Sequence, residues 1–147
     1  MDTLLRDIRL YIYAQIIATS AAPSAADTAR ALSCSLDAAE GGYRALADAH
    51  IIVLRPCSTI VWMAMPFSNM PTAHTVIAGG RAYYAPCAWD AFGIPAALGI
   101  DARIFTTCAD CGGAIERKIA GGSLPESRGL VHFALPARRW WEDIGFT

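Results

Sequence analysis

Charge is scarce in this chain of 147 residues: 12 Lys and Arg stand against 13 Asp and Glu, for a net charge of −1. Without a basic excess there is little to neutralise phosphates, which argues against a nucleic-acid partner. Long apolar runs are missing too. None reaches the ~18 residues of a membrane span, because Arg55 and Pro56 break the longest candidate. LYIYAQIIATSAA at residues 10–22 has the look of a signal-peptide core, but Asp2 and Asp7 occupy what should be a positive flank and Gln15 interrupts the run. No cleaved leader is expected. The five cysteines are odd in number and widely spaced, unlike the even, dense framework of a small secreted disulfide protein. They are expected to be thiols in a reducing cytoplasm, with neither membrane nor nucleic acid as partner. No internal repeat or low-complexity tract is visible.

What the chain has in excess is apolar surface. At 54% hydrophobic it predicts a packed core rather than disorder, and its length fits one compact unit. Leu4, Leu5, Ile8, Tyr11, Ile12 and Ile16 recur at helical spacing over residues 2–18. A second helix runs to Ser33 with Ser24 as a candidate cap, and a third, SLDAAEGGYRALADAH, starts at Ser35 and carries a glycine pair that weakens its middle. IIVLR and TIVWMAM then read as two strands around Pro56-Cys57-Ser58. Three helices and a hairpin match the order of a winged helix, but Asp37, Glu40 and Asp48 against a lone Arg44 make the third helix a poor reader of DNA.

The turn-rich PFSNMPT marks a joint, so residues 1–66 form a helical, winged-helix-like part and 67–147 an α+β part. HTVIA and RAYYA are strands hinged at Gly79–Gly80. ARIFTT, GAIERKI and GLVHFAL (129–135) are further strands, and PARRWWEDIG is a short helix anchored to the core by Trp140 and Trp141. The predicted fold class is α+β, a small mixed or antiparallel sheet with short helices.

RAYYAPCAWDAFGIPAAL holds the chemistry. Pro86 suits a first helical turn, which puts Cys87 where unpaired backbone N–H groups and the helix dipole favour a thiolate. Asp90, three residues on, shares that helix face. Pro95 is expected to end or kink the helix within two turns. A thiolate nucleophile beside a carboxyl proton carrier makes a catalytic pair. The bland counterpart is a buried cysteine and an aspartate matched to the dipole.

YYAPCAWDAFGIPAALG resembles the active-site segment of the organomercurial (alkylmercury) lyases, and the likeness extends through RIFTTCADCGGAI and VHFALP. The resemblance implies that Cys87 attacks and holds mercury. It also implies that Asp90 gives a proton to the departing carbon and binds the metal weakly. An organomercurial would be the substrate and Hg(II) the product. Small thiols or a thiol-bearing acceptor protein would take the ion away, and no further cofactor would be needed. Thiolates suit a soft ion better than oxygen or nitrogen ligands. The family's second catalytic cysteine precedes the Val-His-Phe segment, and Arg128 stands there in this chain. An alternative implied by that departure is a non-catalytic carrier of Hg(II), Cu(I) or Zn(II) on the same scaffold.

Cys108 and Cys111 form a CxxC without the second pair of a zinc ribbon. Structural thiols, an auxiliary soft-metal site and a redox pair all remain readings of it, and Cys111 or Cys57 could approach Cys87 from elsewhere. His132 reads as a core histidine, His50 and His74 as solvated, and Arg138 and Arg139 as a solvated helix face from which either could pair with Glu142.

Overall fold

In the computed structural model, which describes residues 3–125 and 129–145, three helices come first. Helix α1 (Thr3–Thr19) turns Ile8, Ile12 and Ile16 into the core, one turn apart each time. Helix α2 (Ala25–Ala31) opens on a capping box: Ser24 accepts from the Asp27 amide, and the Asp27 carboxylate accepts from the Ser24 amide. Helix α3 (Leu36–Asp48) is capped by Ser35. The buried Tyr43 hydroxyl donates to the Pro23 carbonyl and accepts from Thr28, tying α3 to the start of α2. The one cation of α3, Arg44, is held by Glu40 at 2.9 Å.

Strands follow in the order β1 (Val53–Leu54), β2 (Val61–Ala64), β3 (Phe67–Ser68), β4 (Thr75–Ala78), β5 (Arg81–Tyr84), β6 (Ala102–Thr107) and β7 (Ala114–Ile119). They form one seven-stranded antiparallel sheet in the order β1-β2-β3-β5-β4-β6-β7. The turn-rich stretch therefore contains a strand. Phe67 is buried, and the Asn69 amide group bonds the Val61 carbonyl and the Ala22 N–H, so pairing and burial override the local turn signal. Tyr83 donates to the Ile17 carbonyl and Tyr13 to that of Met65, which fastens α1 to the sheet.

Helix α4 (Ala88–Leu98) follows β5 and buries Ala91, Ile94 and Pro95. Gly93 permits its close approach to Pro66, where a Cβ would stand 3.1 Å from the proline Cβ. Pro95 does not end the helix as anticipated. It removes one N–H bond, and the terminus comes at Gly99, whose left-handed φ of 65° lets its N–H reach the Pro95 carbonyl.

Two expectations fail near the C-terminus. Residues 129–135 form no strand, although their apolar alternation suggests one, and His132 is exposed rather than in the core. Residues Ala137–Glu142 form a 3-10 helix that buries none of its residues, so Trp140 and Trp141 do not anchor it in the main core. Trp140 donates to the Leu135 carbonyl at 2.9 Å, and both rings meet other aromatics, as described below. Arg139 pairs with Glu142 at 2.9 Å.

The two glycines of α3 differ. A Cβ at Gly41 meets nothing, whereas one at Gly42 would run into Cδ1 of the fully buried Ile8. Gly41→Ala is therefore expected to raise stability by about 0.5–1 kcal/mol. Gly42→Leu is expected to lower it by about 1–3 kcal/mol. Urea denaturation of both variants checks the opposite signs.

Candidate active site

The end of β5 delivers the site. Tyr84 pairs with Ser68 on one side and Thr75 on the other. Ala85 is fully buried; its N–H donates to the His74 carbonyl, and its own carbonyl accepts the Thr72 hydroxyl at 2.7 Å. Two residues beyond this staple, Cys87 is the N-cap of α4, with Pro86 just outside the helix rather than in its first turn. The cap geometry brings Cys87 and Asp90 together. Sγ accepts the Asp90 N–H at 3.4 Å, and the thiol donates to Asp90 Oδ2 at 3.1 Å.

The expected thiolate is not what this environment favours at rest. Burial pushes the Cys87 thiol up to about 11. The Asp90 carboxylate, which prefers a bound proton beside it, adds to that rise. The amides of Asp90 and Trp89 pull the other way and lose. Burial likewise raises the Asp90 carboxyl, while the bond from Cys87 and the nearby His74 partly offset the rise.

His74 is the residue that sequence reasoning missed. It is half-buried rather than solvated, its Nδ1 lies 2.6 Å from Thr106 Oγ1, and it interacts electrostatically with Asp90. Burial lowers its pKa and Asp90 raises it. The signal that finds it is the β4–β6 register, in which Thr75 faces Phe105 and so puts His74 beside Thr106.

Cys87 and Asp90 open into a cavity of about 290 Å³ lined by Met63, Met65, Trp89, Phe133, Trp140 and Trp141 among others. The rings form a chain: Trp89 meets Phe133 edge-on at 6.1 Å, Phe133 meets Trp140 at 5.1 Å, and Trp141 stacks on His50 at 3.8 Å. The segment expected as a strand thus walls the cavity instead. Neither thiol raised as a substitute lines it. Cys57 is exposed on the β1–β2 turn, and Cys108 and Cys111 lie on the β6–β7 turn. The amides of Cys111 and Asp110 and the Cys111 thiol bond the Cys108 sulfur and hold its pKa below the usual thiol range. Among the described residues, no group of three His, Cys, Asp or Glu side chains gathers to hold a metal. Arg128 lies outside the described residues.

A family model described as alkylmercury lyase matches residues 67–147. The search of curated proteins found no match. Among solved structures, the chain is similar to the crystal structure of the mercury-bound form of MerB2, with a TM-score of 0.67 and 22% identity. That similarity covers 86% of this chain and 60% of the other, so this chain spans only part of that protein's length. At this identity the likeness shows the fold.

The thiol titration has a direct readout. Alkylation of Cys87 by iodoacetamide, followed on its own peptide by mass spectrometry, is expected to climb with pH toward a midpoint of about 11. Asp90→Asn removes a negative neighbour and should move that midpoint downward, with burial still keeping it raised. A wild-type midpoint at or below about 8.5 would contradict the assignment.

Proposed function

Because this chain belongs to the alkylmercury lyase family, we propose that it breaks carbon–mercury bonds by protonolysis, with Cys87 binding the mercury and Asp90 delivering the proton. The observation that carries the reading is the 3.1 Å contact from the Cys87 thiol to Asp90 at the mouth of an apolar cavity. The organomercurial arrives as R–Hg–SR′ on a small thiol, and as Cys87 takes the mercury the bond to the carrier breaks and R′S⁻ leaves. As the Hg–S bond forms, the thiol proton passes along the existing hydrogen bond to Asp90. Burial makes the carboxyl a good holder of that proton. The C–Hg bond then breaks with its electron pair going to carbon, which takes the proton. Besides R′S⁻, the products are the hydrocarbon R–H, the ion Cys87–S–Hg⁺ and an Asp90 carboxylate ready for the next cycle. Atoms and charge balance, and no cofactor enters.

The cavity walls suit this cargo. Aromatic rings accept the organic group, and the thioethers of Met63 and Met65 add soft donors beside Cys87. Small thiols, or a thiol-bearing acceptor protein, then remove Hg(II).

A second reading, a soft-metal carrier without lyase activity, is favoured by one observation: among the described residues lining the cavity, Cys87 is the only thiol. Product release separates the two. With excess thiol, the protein is expected to release benzene from phenylmercury, and Cys87→Ser to reduce release to the thiol-only background. Asp90→Asn should still bind the mercurial but slow release by about 10²–10⁴-fold, the usual contribution of a positioned general acid. Gas chromatography of the headspace measures both. Mercury uptake by the wild type without any hydrocarbon would decide for the carrier.

A further inference from the structure

The lyase mechanism leaves the Cys108–Cys111 turn unused, and its construction is specific. The Cys108 N–H donates to the Gly113 carbonyl at 2.8 Å, and the Gly112 N–H returns to the Cys108 carbonyl at 2.9 Å. Gly112, at φ 70°, makes that closure possible. The Cys111 side chain helps to hold the Cys108 thiol below its usual range, and the backbone closure keeps both residues on one tight turn. A Cβ at Gly113 would stand 3.3 Å from Cys111 Sγ, so glycine there leaves the sulfur its room. Cys111 is exposed and Cys108 half-exposed, and neither is in a disulfide.

The topology gives this turn a neighbourhood. The β4–β5–β6 registers put the start of β4, the end of β5 and the end of β6 at one end of the sheet. Cys87 follows the end of β5, and Cys108 follows the end of β6, two residues past the Thr106 that bonds His74. Both sulfur sites therefore belong to the same sheet end.

We propose that Cys108 and Cys111 form a second, exposed site that binds one soft ion through two sulfurs and accepts Hg(II) released from the Cys87 cavity. The cargo rests on the lyase reading, but the binding does not. Zinc in structural sites takes four ligands. Here the described residues offer no third His, Cys, Asp or Glu to such a group, which selects an ion content with two thiolates. A redox pair of the thioredoxin kind opens a helix, whereas this pair sits in a turn between strands. Loading is a thiol exchange. Hg(II) bis-thiolate gives up two Hg–S bonds, Cys108 and Cys111 form two, and their protons leave on the displaced thiols. No electrons change hands.

The test uses the full chain and Hg(II) alone. Cys87→Ser protein is mixed with one equivalent of Hg(II) and excess glutathione, desalted, and weighed by native mass spectrometry. It is expected to keep one Hg(II). The Cys87→Ser/Cys108→Ser/Cys111→Ser protein, and the version changing Cys111 but not Cys108, should each keep at least about tenfold less, an affinity loss of about 1.4 kcal/mol or more. Circular dichroism confirms that the substituted proteins are folded, which the backbone bonding of the turn favours. Equal retention overturns the proposal. So does retention of Zn(II) in preference to Hg(II), or a Cys108–Cys111 disulfide with Hg(II) left unbound. Absence of benzene from phenylmercury, measured separately on the wild type, would sink the lyase reading and leave this measurement standing.

Discussion

A thiol hydrogen-bonded to a carboxylate in a half-buried setting is the constraint on which this structure turns. In water each group would ionise on its own terms. Half-buried at the head of α4, Cys87 and Asp90 are coupled, since a negative charge on either makes one on the other more costly. The pair therefore rests as thiol and carboxylate joined by a hydrogen bond. Under the proposed function, a soft metal ion that binds sulfur tightly is what releases the proton, and the carboxyl is already in place to receive it.

The fold holds that pair by convergence rather than by any one strong contact. The helix cap fixes Cys87 relative to Asp90, and the bonds from Thr72 and to His74 fix the backbone of Ala85 just before it. The β4–β6 register brings Thr106 to His74, which acts electrostatically on the Asp90 carboxyl. Helix α4 can sit low on the sheet because residue 93 has no side chain to strike Pro66. Each of these is a modest interaction. Together they leave the reactive atoms little freedom, which is what a preorganised proton transfer needs.

The wall facing the pair is built differently. Phe133 comes from a segment without regular structure and Trp140 and Trp141 from a short 3-10 helix, and their rings meet Trp89 and His50 rather than joining a sheet ladder. Such a wall lines the cavity with apolar rings contributed by few side chains.

Short-range rules were enough for the sequence to determine the three helices, with Ser24 and Ser35 at their caps, the glycine-hinged hairpin of β4 and β5, and the nearness of Cys87 to Asp90. Each of these is governed by neighbours within about one helical turn, where capping and periodicity act. The tertiary structure alone decided the rest. Residues 129–135 alternate like a strand yet form none, and the ring of Phe133 meets Trp89 and walls the cavity. Phe67 and Ser68 read as turn yet pair as strand, because burial outweighs local preference. His74 looked like any surface histidine until a strand register set it beside Thr106, within electrostatic reach of Asp90. The dipole argument for an ionised Cys87 failed for the same reason: a helix terminus is visible in one segment of chain, but the dielectric around it is set by everything that folds on top.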